Sequence, residues 1–145
     1  MSLFPDPATL PCSPLHETSG LKYFPRMIEK IRLHSAGNLW PDLHENLGQG
    51  SDLACLDFLH VNYDDLKVRV LAGDSDEDIL HWCQERTRPL NETDKRVWNF
   101  YITKLGWNDH VTAMLTKRKS EGGLADRDDI QTMAHFIDVD EGRLV

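Results

Sequence analysis

The sequence lacks any long apolar run. No segment approaches the ~20 consecutive apolar residues that a helix needs to cross a bilayer, although 40% of the 145 residues are hydrophobic. We therefore expect a soluble globular protein that does not span a membrane. A chain of this length has the usual size of a single domain.

Positive charge is also scarce. The chain has 16 Lys and Arg residues against 24 Asp and Glu residues, which gives a formal net charge of −8. A phosphate backbone normally binds a clustered excess of Lys and Arg. The composition therefore predicts no nucleic-acid partner.

Cysteine is limited to three residues, Cys12, Cys55 and Cys83, with no CxxC spacing. An odd count without paired spacing predicts reduced intracellular thiols in place of a disulfide framework. The N-terminal residues have no basic patch before an apolar stretch, so we expect no export signal. Together these features predict a cytoplasmic protein.

Proline is concentrated near the start of the chain, at Pro5, Pro7, Pro11 and Pro14. This pattern predicts an extended arm that either wraps the surface or stays mobile, and that the fold can do without. We expect the arm to occupy residues 1–20 and a single helical domain to occupy residues 21–145.

Helix signals recur along the rest of the chain, and no segment shows the sustained alternation of a half-buried strand. The prediction is an all-α fold, a compact array of about seven short to medium helices with an extended N-terminal arm. The predicted helices run from Pro25 to Gly37, from Ser51, from Asn62 to Gly73, from Ser75, from Asn91 to Gly106, from Asn108 to about Glu121, and from a cap at Asp126. Their predicted core residues include Phe24, Met27, Ile28, Ile31, Leu53, Leu56, Leu59, Leu66, Val70, Leu71, Ile79, Leu80, Cys83, Val97, Trp98, Tyr101 and Leu105.

A row of cationic residues runs along the first predicted helix. Arg26, Lys30 and His34 stand at i, i+4 and i+8, so they lie on one side of the helix. Residues 42–65 contain six carboxylates and no Lys or Arg. We expect this acidic segment to dock on the row and to pair with Arg26, Lys30 and Arg32. An alternative is an open anion-binding site on Arg26 and Lys30, with His34 and His44 nearby.

The stretch "LWPDLHENLGQGSDLACLDFLH" at 39–60 is the strongest candidate for chemistry. Asp42, His44 and Glu45 could supply an acid and a base to a small-molecule enzyme. The same residues, with His34 or Asp57, could also hold zinc, but no HExxH or comparable ligand spacing is present. We therefore predict no metal and no cofactor.

Four stretches carry a resemblance to a known family: "YFPRMIEKIRLHSAGNL", "LHENLG", "LDFLHVNYDDLKVRVLAG" and "SDEDILHW". The matching positions are Pro25, Arg26, Glu29, Lys30, Arg32, Ala36, Gly37, His44, Gly73, Asp76, Ile79, Leu80 and Trp82. Over roughly residues 22 to 140 the chain resembles an uncharacterised bacterial family, the domain of unknown function DUF5069. The resemblance implies a helical cytoplasmic protein and carries no established activity.

Three functions follow from the residues. The first is a non-catalytic binding, structural or regulatory module whose partner is an unknown protein or small molecule. The second is a small-molecule enzyme that uses His44 with Asp42 or Glu45, and the third is the anion site on Arg26 and Lys30.

Overall fold

Helices dominate the computed structural model, which describes residues 4–145. Within this range the chain forms seven α-helices and a single two-stranded sheet, which confirms the predicted helical class. The helices are α1 (Phe24–Ser35), α2 (Ser51–Leu59), α3 (Tyr63–Leu71), α4 (Asp76–Arg86), α5 (Glu92–Lys104), α6 (Thr112–Glu121) and α7 (Met133–Asp140). Short 3-10 helices cover Pro7–Thr9 and Pro41–Asn46. None of the helices in residues 4–145 is long and apolar enough to cross a membrane.

A small hairpin precedes α1 and was not predicted. Its strands, β1 (Glu17–Thr18) and β2 (Leu21–Lys22), pair antiparallel. The Trp98 indole N–H donates to the Lys22 carbonyl oxygen at 2.8 Å, which holds the hairpin against α5. Strands of two residues are too short to show a period-2 pattern, so no sequence pattern predicts them.

The core lies mainly between α1 and the helices packed around it. Phe24, Met27, Ile28 and Ile31 of α1 are all buried, as their helical spacing predicts. A smaller cluster under α6 and α7 is formed by Leu115, Ile130, Phe136 and Val139.

Three residues predicted to be buried are exposed. Leu53, Leu71 and Val97 keep 42%, 47% and 59% of their surface accessible to solvent. Each is next to a buried residue in the chain. Consecutive side chains of a helix point in directions about 100° apart, so an error of one position exchanges a buried residue for an exposed one. Trp98 takes the core position of α5, so Val97 faces outward.

The last two helices begin later than predicted. Asp109 accepts hydrogen bonds from the backbone N–H groups of Gly106 and Val111, so the chain turns there and α6 starts at Thr112. The predicted cap at Asp126 is also wrong. The Thr132 hydroxyl caps α7 by accepting from the backbone N–H of His135.

The N-terminal arm is docked on the domain. Pro11, Ser13 and Pro14 are buried, and the backbone N–H of Trp40 donates to the Thr9 carbonyl oxygen at 3.0 Å. Of the two predicted behaviours, wrapping the surface is the one observed over residues 4–20, while residues 1–3 lie outside the described range. The division of the chain at residue 20 stays a prediction.

Candidate functional site

The acidic segment contributes a fully buried ion pair to α1. The Lys30 ammonium lies 2.9 Å from the Asp52 carboxylate, and the two residues expose 2% and 0% of their surface. Asp52 also accepts hydrogen bonds from the Tyr23 hydroxyl at 2.6 Å and from the Gly48 backbone N–H at 3.0 Å. Lys30 donates a second bond to the Asn46 carbonyl oxygen at 3.2 Å. Lys30 and Asp52 are therefore hydrogen-bonded both to each other and to three neighbouring groups inside the protein.

The GxG sequence before α2 has a packing role in this arrangement. Gly48 has a φ of +70°, and a Cβ atom there would lie 3.0 Å from the Tyr63 ring. Glycine is the residue that tolerates both the backbone conformation and the close approach. The turn delivers the Gly48 N–H to the Asp52 carboxylate, so this part of the loop serves the buried ion pair.

Burial shifts the proton equilibria of the two groups that touch Asp52. Burial lowers the pKa of Lys30, and the attraction of Asp52 opposes this shift. Burial also raises the pKa of Tyr23 well above its ordinary value, and the nearby Asp52 charge acts in the same direction. Both shifts follow from a low-dielectric site that disfavours uncompensated charge.

A second buried ion pair joins α1 to the C-terminus. The Arg26 guanidinium makes two hydrogen bonds to the Glu141 carboxylate, at 2.9 and 2.7 Å. The two side chains expose only 3% and 2% of their surface. Such a bidentate contact fixes the orientation of both groups as well as their separation.

The arm completes this second pair. Arg26 also donates to the Cys12 carbonyl oxygen at 3.0 Å, and Arg143 donates both to Glu141 and to the Pro11 carbonyl oxygen. The Ser13 hydroxyl donates to Asp138 at 2.9 Å. We call the contacts of these residues the terminal clamp, because they tie residues 11–13 to the last turn of the chain through α1.

The predicted docking of the acidic segment on α1 is therefore right for one cation of three. Lys30 pairs with Asp52, as expected. The expected partners of the other two are wrong, because Arg26 pairs with Glu141 and Arg32 with Asp76 at 2.7 Å. Glu141 is separated from Arg26 by 115 residues, and its position in a charged tail gave no sign that it would be buried.

The histidines proposed for chemistry lie on the surface. His34 and His44 are exposed, and their ring centroids are 5.0 Å apart with the rings nearly perpendicular. The Nε2 atom of His44 lies 2.9 Å from the Leu39 carbonyl oxygen. Asp42 and Glu45 are also exposed. The structure thus brings the two histidines together and leaves His44 without a hydrogen bond to either carboxylate within residues 4–145.

No metal-binding group is formed in the part of the chain that the structure describes. Three or more His, Cys, Asp or Glu side chains do not converge anywhere in residues 4–145. The roles given to His44, Asp42 and Glu45 from the sequence stay predictions.

A cleft of about 350 Å³ lies beside the terminal clamp. It is lined by Pro7, Leu10, Pro11, Cys12, Glu29, Glu141, Gly142 and Arg143. Burial raises the pKa of the Cys12 thiol to about 12, and a hydrogen bond to Glu29 adds to the shift. A thiol held neutral in this way is a poor nucleophile, because the thiolate is the reactive form. His44 lines neither this cleft nor the cleft of about 310 Å³ beside Trp107.

The outer side of α5 presents a different kind of surface. Val97 and Phe100 expose 59% and 58% of their surface, and the exposed side chains of Arg96 and Lys104 lie on the same side of the helix. The Lys104 ammonium lies 5.5 Å from the centre of the Phe100 ring. We call these four residues the α5 face. This face differs from the prediction, which places Val97 in the core.

A family of known sequences matches almost the whole chain. The family described as "Domain of unknown function (DUF5069)" matches residues 8–143. No curated protein matches the chain. The matched range includes both buried ion pairs and residues 8–20 of the arm, so all of these belong to the region that the family describes.

Proposed function

We propose that this chain, which belongs to the DUF5069 family of domains of unknown function, is a non-catalytic protein-binding module. The observation that carries the proposal is the α5 face, where exposed apolar side chains stand beside cations on one side of a regular helix. Such a surface is typical of helices that bind another protein.

Burial of the two ion pairs argues against the anion-binding alternative. Arg26 and Lys30 each expose 2% of their surface, and each is matched by a buried carboxylate. An anion that approached either cation would have to displace Glu141 or Asp52 from its hydrogen bonds. These cations therefore support a structural role.

The surroundings of His44 give little support to the enzyme alternative. A general base needs a positioned partner and a site that shields the substrate from water. His44 is exposed, and its ring contacts the ring of His34. Neither Asp42 nor Glu45 is hydrogen-bonded to it within residues 4–145.

The α5 face has enough apolar surface to contribute to binding. Val97 and Phe100 are three residues apart and so lie next to each other on the helix surface. Complete burial of a Val or Phe side chain is worth roughly 1.5 to 3 kcal/mol. Because both side chains are already partly covered, a partner would gain roughly 2 to 3 kcal/mol from the pair by this measure. Further contacts are needed to offset the cost of association.

We place the module in the cytoplasm of a bacterial cell. Support for a reducing compartment comes from the three cysteines, which are free thiols in the structure, with Cys55 and Cys83 buried in the core. The partner in this proposal is another protein, and the proposal requires neither a cofactor nor a metal.

Site-specific photo-crosslinking in the native cell tests the proposed function. A photo-reactive phenylalanine derivative at position 100 should give a discrete adduct with a second protein. The same derivative at Val68, which is 73% exposed on α3, is the matched control. Adducts that are absent at position 100, or identical at both positions, would show that the α5 face is not a binding surface.

A further inference from the structure

We infer that the partner segment on the α5 face is an acidic amphipathic helix, with carboxylates about two turns apart beside apolar side chains. The inference rests on the proposed function, since it names the chemistry of the partner for the same surface. It comes from the distribution of charge, from the geometry of the helix and from two cations that have no carboxylate partner within residues 4–145.

Charge is distributed very unevenly along the chain. Residues 95–119 contain six Lys and Arg residues and one Asp, a formal charge of +5. The remaining residues contain ten Lys and Arg against 23 Asp and Glu, a formal charge of −13. Lys95, Lys117 and Arg118 of this segment pair with Glu92 or Glu121 at its borders. The positive charge left on the α5 face is that of Arg96 and Lys104, and a partner complementary to these two cations is acidic.

The two cations of the α5 face are spaced to receive two carboxylates. Arg96 and Lys104 are eight residues apart, which corresponds to about 12 Å along the helix axis and about 80° around it. Phe100 lies midway between them in both height and angle, and Val97 lies about 20° beyond Lys104. The four side chains therefore occupy an arc of about 100°, which is the width of one contact face of a helix.

Arg96 and Lys104 form no ion pair within residues 4–145. Over residues 4–145, four of the sixteen Lys and Arg side chains lack a carboxylate oxygen within 4.0 Å: Lys67, Arg96, Lys104 and Lys119. Lys119 donates instead to the Ile130 carbonyl oxygen. Arg96 donates a hydrogen bond to the Thr93 hydroxyl at 3.2 Å, and Lys104 lies over the Phe100 ring.

A short protein segment fits this surface better than a nucleic acid or an anionic membrane. A long phosphate backbone or a lipid surface would extend past the α5 face and meet the rest of the chain, whose formal charge is −13. Screening limits repulsion only beyond about 8 to 10 Å at physiological ionic strength. A helix that covers the α5 face meets both cations and both apolar side chains and need not contact the acidic remainder.

Binding of defined peptides to the purified full chain tests the inference. The probe is a fluorescent amphipathic helical peptide with two Glu residues about two turns apart and Leu residues between them. The matched peptide has Gln in place of Glu. Anisotropy titrations should show binding of the Glu peptide that is at least about tenfold tighter, and this advantage should shrink at high salt.

Variants of the chain locate the binding. Arg96→Glu and Lys104→Glu should each weaken binding of the Glu peptide by about tenfold or more, and Phe100→Ser should weaken binding of both peptides. The matched controls are Lys67→Glu and Val68→Ser on α3, which should leave binding unchanged. Arg96→Gln and Lys104→Gln should act in the same direction and cover the case in which a Glu variant fails to fold, as judged by circular dichroism.

Several results would overturn the inference. Equal binding of the Glu and Gln peptides would show that carboxylates are not recognised, and equal losses from Lys67→Glu and Arg96→Glu would show that net charge alone acts. Binding to single-stranded DNA or to phosphatidylglycerol vesicles that is lost in the same variants would show that the ligand is a nucleic acid or a membrane, and not an acidic protein. A basic or neutral protein crosslinked at position 100 would refute the inference and leave the proposed function standing.

Discussion

Removal of the charge on Asp52 should strongly destabilise the protein. In Asp52→Asn, the amide can still accept from Gly48 and Lys30 through its oxygen, and its nitrogen can donate to the Tyr23 hydroxyl oxygen. The loss is thus mainly one of charge compensation, because the Lys30 ammonium stays 2% exposed with no anion beside it. Breaking a buried ion pair by removing one partner costs about 3 to 5 kcal/mol.

Such a loss is large compared with the total stability of a domain, which is roughly 5 to 15 kcal/mol. For a chain of this size it corresponds to a fall of roughly 6 to 20 °C in Tm. Urea denaturation followed by circular dichroism measures the loss directly. Asp57→Asn, an exposed position on the same helix, is the matched control and should stay within about 0.5 kcal/mol of the parent.

Two further measurements separate charge compensation from a general packing defect. Lys30→Met combined with Asp52→Asn removes the uncompensated cation and should recover most of the lost stability. The deficit of Asp52→Asn should also shrink as pH rises. Burial lowers the pKa of Lys30 below its value in the unfolded chain. Between these two pKa values the unfolded state binds more protons than the folded state, so the contribution of Lys30 to the free energy of unfolding increases with pH. A single variant no less stable than Asp57→Asn, or a double variant no better than the single, would refute the reasoning.

Three other outcomes are expected. Deletion of residues 1–14 removes the carbonyl partners of Arg26 and Arg143 and should lower Tm by several degrees, measured by thermal denaturation; an unchanged Tm would mean that the docked arm adds nothing. Burial raises the pKa of the Cys12 thiol to about 12. The contribution of this thiol to the free energy of unfolding is therefore complete below about pH 8.5 and is lost as pH rises. Cys12→Ser should flatten the alkaline fall in the urea midpoint. Elemental analysis should find no stoichiometric metal, and about one zinc or iron per chain that disappears in His44→Ala would contradict this.

Local signals in the sequence located several helix starts correctly. Asn62, Ser75 and Asn91 each cap a helix by accepting a hydrogen bond from a backbone N–H two or three residues later. Such caps depend on residues that are close together in the chain, so these residues are enough to predict them. The same holds for the buried stripe of α1.

Features that depend on distant residues could not be predicted in the same way. The helices predicted from Asn108 and from a cap at Asp126 begin only at Thr112 and Met133, because hydrogen bonds to Asp109 form a turn before α6 and the Thr132 hydroxyl caps α7. The excess of acid in residues 42–65 correctly predicted a partner for Lys30, while the burial of Glu141 depends on α1, the arm and Arg143 meeting in three dimensions. The α5 face was missed for a related reason, because one residue of rotation decides whether Val97 or Trp98 enters the core.

The terminal clamp has a consequence for how the protein is made. Arg26 leaves the ribosome long before Glu141, and 115 residues separate them. At a synthesis rate of about 5 to 20 residues per second, Glu141 is added to the chain roughly 6 to 23 seconds after Arg26. During that interval α1 cannot bury Arg26 against its native carboxylate partner, so the native contacts of Arg26 are completed only after Glu141 has been translated. A nascent chain that ends before Glu141 cannot form the Arg26–Glu141 pair, so it can bury Arg26 only with its charge unpaired by that carboxylate.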